Sequence, residues 1–239
     1  MSKSILQHIV NSKKKGEKLV AVLLDPDKVD LNEIEILIQK LDKKANFIFV
    51  GGSTVSHGDT QKLVQQLKAL TTIPIVLFPG DISQITDAAD AILFLSLLSG
   101  ENPEYLIRQQ LKSVVPLQKA ELEIIPTGYI LIDGGVETAV QKVSRTEPIA
   151  QEDVERVRQI AIAGMYLGKH LIYLEAGSGA VNPVKAEIIS KVAKSITIPL
   201  IVGGGIRTKK QLDRAYHAGA DLVVIGTAFE NNNLFFDNF

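Results

Sequence analysis

The sequence contains no cysteine and no tryptophan, and its 26 lysines and arginines nearly balance its 27 aspartates and glutamates. Without cysteine the chain can form no disulfide, thiol nucleophile or thiolate metal site. A formal net charge of −1 leaves no basic footprint, so we expect no nucleic-acid partner. No apolar run approaches the roughly 20 residues of a transmembrane helix. The polar N-terminal segment is not typical of a secretory signal, and we therefore expect a globular, cytoplasmic protein with at most transient contact to a membrane surface.

Histidine and lysine are also poorly placed for covalent or metal chemistry. The four histidines are scattered, without the spacing of metal ligands, and His57 is interpreted as a solvated loop residue. Lys18 and Lys28 flank the first strand, and neither is expected at its mouth. No Ser-His-Asp order indicates a nucleophilic triad.

What the sequence does have is a regular alternation of strand-like and helix-like segments. Its hydrophobic fraction of 46% and mean hydropathy of +0.16 are typical of a parallel sheet covered on both faces. The expected strands are Lys18–Leu24, Phe47–Val50, Pro74–Phe78, Ala91–Leu95, Glu123–Ile132, His170–Leu174, Ile198–Val202 and Asp221–Ile225. The expected helices are a lead-in at 1–14, then Leu31–Leu41, Thr60–Leu70, Pro103–Gln118, Gln151–Tyr166, Pro183–Lys194, Lys209–Ala218 and a C-terminal tail at 230–239. This order predicts a single (β/α)8 TIM-barrel domain over residues 1–239.

One interval of the alternation is too short. Only Asp81–Asp90 separates the third strand from the fourth, and a helix with two turns barely fits there. We therefore expect the third helix to be short or replaced by a loop, which leaves a gap in the outer ring. Phe78, Ile82, Phe94 and Leu97 lie near this gap and are candidates for an apolar groove.

Three late strands end in loops that suit an anion. These loops contain Gly177-Ser178-Gly179, Gly203-Gly204-Gly205 and Gly226-Thr227. Glycine lets backbone N–H groups approach an oxyanion without a Cβ in the way. Because the last two loops of an α/β barrel are its usual phosphate site, the pattern predicts phosphate binding, without indicating which phosphate.

A carboxylate and a hydroxyl follow the first two strands. Asp25 and Ser53 would lie side by side at the barrel mouth, and a few oxygen ligands suit Mg²⁺, which keeps water and takes further ligands from a substrate phosphate. An alternative is that Asp25 caps the first barrel helix or simply ends its strand. Asp27 is interpreted as an exposed helix cap.

The order and spacing of these motifs resemble the geranylgeranylglyceryl phosphate synthase family. The matching segments are Asp25-Pro26-Asp27-Lys28, Val50-Gly51-Gly52-Ser53, Tyr173–Gly179, Gly203–Ile206 and Gly226-Thr227-Ala228. The resemblance implies a TIM barrel modified around its third helix, with Mg²⁺ held by Asp25 and Ser53. It implies a site for sn-glycerol 1-phosphate made by Tyr173, Leu174, Glu175, Ala176, Gly177, Ser178, Gly179, Gly204, Gly205, Gly226 and Thr227.

The form of two motifs is similar to one branch of that family. Tyr173–Gly179 and the strand segment Ile125–Tyr129 are similar to the branch that often forms higher homo-oligomers. The other branch carries a lysine two residues before the aspartate, where this chain has Leu23. We accordingly expect a homo-oligomer. An apolar face at Ile160–Leu167 is consistent with an interface or, equally, with core packing.

The implied reaction is transfer of a polyprenyl group from its diphosphate to the 3-hydroxyl of sn-glycerol 1-phosphate, in polar-lipid biosynthesis. Glu175 and Tyr173 are then the candidate catalytic residues: Glu175 would hydrogen-bond the glycerol and accept a proton, while Tyr173 walls the site or donates a hydrogen bond. Two alternatives remain open, namely another phosphate-binding barrel such as an isomerase or cyclase, and a non-catalytic barrel that binds phosphometabolites.

Overall fold

The computed structural model of the chain describes residues 4–41, 44–55 and 59–226. Eight parallel strands pair in chain order, and β1 pairs with β8 to close the sheet into a barrel. The strands are β1 Leu19–Leu24, β2 Phe47–Val50, β3 Ile75–Leu77, β4 Ala91–Leu97, β5 Glu123–Leu131, β6 Leu171–Glu175, β7 Leu200–Gly203 and β8 Leu222–Ile225. The predicted (β/α)8 barrel is confirmed.

Among the described residues, one α-helix precedes β1 and at least one α-helix follows each strand from β1 to β7 except β3. The helices are α1 Ile5–Lys15, α2 Ile34–Leu41, α3 Asp59–Leu70, α4 Gln109–Lys119, α5 Ala139–Ser144, α6 Val154–Tyr166, α7 Ala186–Ala193 and α8 Lys209–Ala218. A 3₁₀ turn at Leu31–Glu33 precedes α2, and a π-helical turn at Glu104–Arg108 precedes α4. Among the described residues, no helix is long and apolar enough to span a membrane.

The strands are apolar on both faces because each face has its own core. One face of β2 places Phe47 and Phe49 in the barrel interior, and the other places Ile48 and Val50 in the layer under the helices. Both layers are buried, so the strands read as continuous apolar runs rather than as an alternation.

Helix α1 closes the N-terminal end of the barrel. Ile5 and Ile9 are buried against the interior core, next to the first residues of several strands. The Glu123 carboxylate, at the start of β5, accepts hydrogen bonds from the Ser4 hydroxyl at 2.6 Å and the backbone N–H of Ile5 at 2.6 Å. A carboxylate at a helix N-terminus satisfies otherwise unpaired donors and favours the helix dipole. The open end of the barrel is therefore the C-terminal one.

The gap expected at the third helix is confirmed. Between β3 and β4 the chain forms only a 3₁₀ turn at Ile82–Gln84, which Asp81 caps by accepting from the Ser83 N–H at 2.7 Å. The outward face of β4, with Ile92 and Phe94, is covered there by this turn and by α4.

Helix α5 was not predicted. It has six residues, too few to show a helical apolar period, and it begins after Thr138, whose hydroxyl accepts from the Gln141 N–H at 3.2 Å. The next helix begins at Val154 rather than at the predicted Gln151, because Asp153 caps it. Neither the predicted helical tail at 230–239 nor His57 lies within the described residues, and the cytoplasmic location also stays a prediction.

Candidate active site

A cavity of about 280 Å³ opens at the C-terminal end of the barrel. It is lined by the first turn after β1, the loop after β2, the ends of β5 to β8, and the start of α5. The predicted site residues that line it are Asp25, Ser53, Tyr173, Glu175, Gly177, Ser178, Gly179, Gly204, Gly205 and Gly226. Most of the predicted site is thus brought together around one cavity.

Two other predicted residues within the described part of the chain do not line this cavity. Leu174 and Ala176 are fully buried in the outer core layer, so any contribution they make to binding comes from their backbone. Thr227 lies outside the described residues.

Glu175 is the last residue of β6 and is only 6% exposed. Burial raises the pKa of its carboxyl group, because the charged form loses its hydration. The Tyr173 hydroxyl and the Gly177 N–H, the latter 2.7 Å from Oε1, lower the same pKa in part by stabilising the carboxylate. A buried carboxyl group with a raised pKa in a cavity is typical of a proton acceptor.

Tyr173 lies next to this carboxylate. Burial, together with the nearby charge of Glu175, raises the pKa of its hydroxyl well above the usual range, so Tyr173 stays protonated. Within the described part of the chain, its buried hydroxyl has no hydrogen-bond partner of normal geometry. Its contact with the Glu175 carboxylate is therefore too poorly aligned to satisfy it fully, and a buried donor in this state is costly.

Aromatic rings form the wall behind these groups. Phe78 stacks on Tyr173 with ring centroids 5.4 Å apart, and Tyr129 tilts against Tyr173 at 5.5 Å. Burial, and secondarily the nearby Glu175 charge, raise the pKa of Tyr129 well above the usual range as well. The carboxylate is therefore enclosed by apolar faces that strengthen its electrostatic interactions.

The glycines around Glu175 are required by close approach. Gly204 and Gly205 adopt φ values of +82° and +70°, which side chains rarely tolerate. A Cβ at Gly204 would lie 2.5 Å from Glu175 Oε1, and one at Gly203 would lie 2.8 Å from Oε2. Within the described residues, no protein group accepts a hydrogen bond from the backbone N–H of Gly204 or Gly205. Unpaired N–H groups on a cavity wall favour an anion such as phosphate.

Asp25 and Ser53 line the same cavity on the side formed by β1 and β2. Asp25 Oδ1 accepts from the Asp27 N–H at 3.1 Å, and Oδ2 lies 3.0 Å from Lys28 Nζ. Neither Asp25 nor Asp27 caps the helix, since Asp30 accepts from Asn32 N–H and begins the 3₁₀ turn. The prediction that Asp27 is a cap, and the capping alternative for Asp25, are therefore wrong.

Asp25 and Ser53 together do not form a complete metal cage. Among the described residues, no group of three or more carboxylate, histidine or cysteine side chains could hold a metal ion. Two oxygen donors would suit an ion such as Mg²⁺, which completes its shell with water and substrate phosphate oxygens.

Two basic residues at the cavity were missed. Lys28 was not expected at the mouth of β1, yet it lines the cavity, because the tight turn after Asp25 brings it back to the carboxylate. Arg207 lines the cavity near the glycine loops and donates to the Gly179 carbonyl at 3.3 Å. Both side chains add positive charge where anions would bind.

An apolar groove adjoins the polar cavity. It runs along β4, where a third barrel helix would lie, and the four expected residues Phe78, Ile82, Phe94 and Leu97 all line it. Ser53, Phe78, Tyr129 and Val140 line both the groove and the cavity. The two spaces therefore meet beside Ser53. Val140 belongs to α5, whose role in the site had no signal in the sequence beyond its Thr138 cap.

Comparison with known proteins agrees with this geometry. The sequence model of a family described as the PcrB family matches residues 12–239. The chain belongs to the PcrB family.

Curated relatives carry one enzyme name. The chain is 54% identical to geranylgeranylglyceryl phosphate synthase of Zunongwangia profunda, covering 95% of this chain and 97% of the relative. It is 42% identical to the enzyme of the same name in Thermococcus gammatolerans, covering 94% and 89% respectively. The expected resemblance is confirmed.

Solved structures that are similar to this chain have the same barrel fold. The (S)-3-O-geranylgeranylglyceryl phosphate synthase of Thermoplasma acidophilum, in complex with its substrate sn-glycerol-1-phosphate, has a TM-score of 0.92 and 32% identity, over 98% of this chain and 95% of that one. A tryptophan synthase α-subunit from Pyrococcus furiosus, with a TM-score of 0.56 and 13% identity over 90% of this chain and 89% of that one, shares the barrel fold alone.

Replacing Gly204 by alanine should disrupt the carboxylate site. The new Cβ would meet Glu175 Oε1, whereas Gly168, with a similar φ of +81°, has nothing within 4 Å of its Cβ position. We expect Gly168→Ala to lower the free energy of unfolding by about 1 kcal/mol, because its backbone is left-handed. Gly204→Ala should lower it by about 3 kcal/mol. Urea unfolding measures both, and equal losses would contradict the close packing at Gly204.

Proposed function

We propose that this PcrB-family protein is a prenyltransferase that joins the 3-hydroxyl of sn-glycerol 1-phosphate to an allylic polyprenyl diphosphate, with release of diphosphate. The main support for this function is that a polar cavity and an apolar groove meet at one point. A polar cavity with a buried carboxylate and unpaired glycine N–H groups opens beside Ser53 into an apolar groove. An enzyme of this kind must hold a small phosphorylated alcohol and a long hydrocarbon chain at one point.

The glycerol phosphate is assigned to the side of the cavity formed by β6, β7 and β8. The backbone N–H groups of Gly204 and Gly205 would bind the phosphate, with the adjoining segment Tyr173–Gly179, Gly226 and Thr227 completing the site. Arg207 holds the Gly179 carbonyl and adds positive charge beside this loop. The phosphate position leaves the glycerol hydroxyls near Glu175.

The diphosphate is assigned to the side formed by β1 and β2. Asp25 and Ser53 would hold Mg²⁺ there, and the ion supplies charge neutralisation for the leaving diphosphate. Lys28, 3.0 Å from Asp25, would add a second positive charge. The donor set fits this role because its remaining ligands would come from water and diphosphate oxygens.

Glu175 acts on the attacking hydroxyl. The C–O bond between prenyl carbon 1 and the diphosphate breaks, and the glycerol 3-oxygen forms the new ether bond to that carbon. The hydroxyl proton passes to Glu175, whose raised pKa makes it a competent acceptor. Tyr173 stays protonated and would donate a hydrogen bond to the glycerol in place of its poorly aligned contact with Glu175.

The prenyl chain is assigned to the groove left by the missing third helix. The groove starts at Phe78 and Tyr129, beside the polar cavity, and continues along Phe94 and Ile92 toward the N-terminal end of β4. Its lining is largely apolar, which favours burial of hydrocarbon. An isomerase or cyclase of phosphorylated sugars would have no use for this groove.

Two broader expectations, on domain organisation and on the branch of the family, accompany this function as proposals. Closure of the sheet by β1 and β8 supports a single domain over residues 1–239. The form of the segment Tyr173–Gly179 supports membership of the family branch that has a similar segment. In place of the other branch's lysine, Leu23 lines the cavity, so the positive charge at this side comes from Lys28.

A homo-oligomer is supported by an apolar stripe on the surface. Ile107, Leu111 and Val115 follow one another at helical spacing on and just before α4, and Leu111 is 63% exposed. In the predicted face at Ile160–Leu167, Ile160, Ile162 and Met165 pack on the core, whereas Tyr166 is 81% exposed. We assign these exposed residues to contacts with a second copy of the chain.

Native mass tests the homo-oligomer. We expect light scattering to give a multiple of 26.0 kDa, and the Leu111→Lys variant to shift the mass distribution toward the monomer. A monomer for the unaltered chain would contradict the assignment.

The reaction is tested directly with radiolabelled sn-glycerol 1-phosphate, a prenyl diphosphate and Mg²⁺. We expect label to become extractable into organic solvent, and EDTA to prevent it. Absence of extractable label with short and long prenyl diphosphates would overturn the proposed function. Label that forms equally well in EDTA would overturn only the assignment of Mg²⁺.

In the same assay, Glu175→Gln separates chemistry from stability. Glutamine keeps an oxygen for the Gly177 N–H but cannot accept the proton, so we expect kcat to fall at least about a hundredfold. Because a buried charge is removed, the variant should be no less stable at neutral pH. In the unaltered enzyme, kcat should fall as pH drops through the raised pKa of Glu175, and the variant should lack this dependence. Unchanged kcat in a folded variant would exclude Glu175 as the base.

Groove length is tested at Ser113. This buried residue on α4 lines the groove one helical turn below Gln110, farther from the cavity. Ser113→Phe should lower kcat/KM for a 20-carbon diphosphate at least about tenfold relative to a 10-carbon one, because the far end is filled. Gln118→Phe, an exposed change on the same helix, should leave that ratio unchanged. Equal ratios in both variants would show that the prenyl chain binds outside this groove.

A further inference from the structure

Gln84 is a buried polar side chain that the proposed reaction does not use. It is 1% exposed and ends the 3₁₀ turn that stands in place of the third barrel helix. A buried amide must find hydrogen-bond partners, because leaving its donors and acceptor unpaired is costly. The partners that Gln84 finds are both on one residue of another loop.

The Gln84 amide pairs with the backbone of Gly52. Its Nε2 donates to the Gly52 carbonyl at 2.7 Å, and its Oε1 accepts from the Gly52 N–H at 3.2 Å. Both polar groups of one residue's backbone are thus held by a single planar side chain. This pairing replaces the support that a neighbouring strand or helix would give to the loop after β2.

Gly52 links the two residues assigned to the diphosphate side, Asp25 and Ser53. It immediately precedes Ser53, and its Cβ position lies only 3.2 Å from Asp25 Oδ1. On its other side, Gly80 approaches so closely that a Cβ there would lie 2.7 Å from the Ser53 carbonyl oxygen. The loop is therefore confined between Asp25 and the segment that carries Gln84.

The same segment also forms a wall of the groove. Ile82 and Ile85 lie on either side of Gln84 in the chain and line the groove. One short turn thus contacts both the space assigned to the hydrocarbon chain and the loop assigned to the diphosphate. The loss of the third helix opens the groove, and Gln84 restores order to the loop that the lost helix leaves unsupported.

We propose that Gln84 is a positioning residue, which holds the Gly52–Ser53 backbone against Asp25 so that the diphosphate side is formed before substrate binds. This inference rests on the proposed assignment of the diphosphate to Asp25 and Ser53. Preorganised polar groups bind an anion more tightly because no ordering is needed on binding. The glycerol phosphate side has no contact with Gln84 in the described structure and should not depend on it.

The test uses variants of similar length at Gln84. Gln84→Met removes both hydrogen bonds, and Gln84→Glu keeps the acceptor for the Gly52 N–H while losing the donor. Calorimetry measures the binding of magnesium pyrophosphate to the full chain with sn-glycerol 1-phosphate present in excess, so that the phosphate loops are occupied. We expect at least about tenfold weaker binding for Gln84→Met and a loss at least as large for Gln84→Glu, whose second carboxylate oxygen would face the Gly52 carbonyl. KM for the prenyl diphosphate should rise in parallel, and KM for glycerol phosphate should change less than about twofold.

Gln151 provides the matched control. This buried glutamine also binds backbone groups, with Nε2 donating to the carbonyl of Asp133 at 2.9 Å and Oε1 accepting from the Lys185 N–H at 2.8 Å. Gln151→Met should lower the melting temperature as Gln84→Met does, yet leave magnesium pyrophosphate binding unchanged. If Gln84→Met does not fold, magnesium pyrophosphate binding by Gln84→Glu alone tests the positioning role.

The outcomes separate the two proposals. Pyrophosphate binding that is unchanged in both Gln84 variants, or weakened equally in Gln151→Met, overturns the positioning role. No binding by the unaltered protein overturns it too, since the loop would hold no diphosphate. Binding that depends on Gln84, with no extractable product in the radiolabel assay, supports the positioning role and overturns the proposed reaction instead.

Discussion

The burial of the Glu175 carboxylate is the constraint around which the mouth of the barrel is built. A carboxylate held out of water is expensive unless donors surround it, and here the Gly177 N–H supplies one at 2.7 Å, with the Tyr173 hydroxyl close by. The backbone of β7 must then approach the carboxylate so closely that only glycine fits at positions 203 and 204. Gly204 also presents an unpaired N–H group to the cavity, so one packing requirement serves both the proposed proton acceptor and the proposed anion site.

The barrel is closed at one end and opened at one side. Helix α1 closes the N-terminal end with Ile5 and Ile9, which directs access to the strand C-termini. On the side between β3 and β4, a turn of three residues replaces a helix and leaves a groove beside β4. Removing a helix leaves polar backbone without support, and Gln84 supplies that support at Gly52. The groove and the support of the Gly52 loop by Gln84 therefore both follow from the absence of one barrel helix.

Much of this arrangement could be predicted from local pattern. Buried parallel strands have apolar runs, and the glycine loops and the ten residues of Asp81–Asp90 are visible by inspection. Helix α5 could not be predicted, because six residues do not show a period. Lys28 was placed wrongly, since a tight turn brings it back to Asp25 across a distance that linear spacing does not reveal. Gln84 had no signal either, because its partner Gly52 lies on a different loop.

The sequence alone determined the order of strands and helices, the site of the missing helix and the residues at each strand end, because these depend on side-chain polarity and on glycine or proline at particular positions. Only the tertiary structure decided which of those residues meet. Closure of the sheet brings the end of β1 beside β2 and β8, so Asp25 and Ser53 face Glu175 across one cavity. It also decided that Glu175 is buried and its pKa raised, since desolvation depends on neighbours from β5 and β7 rather than on the segment that carries it.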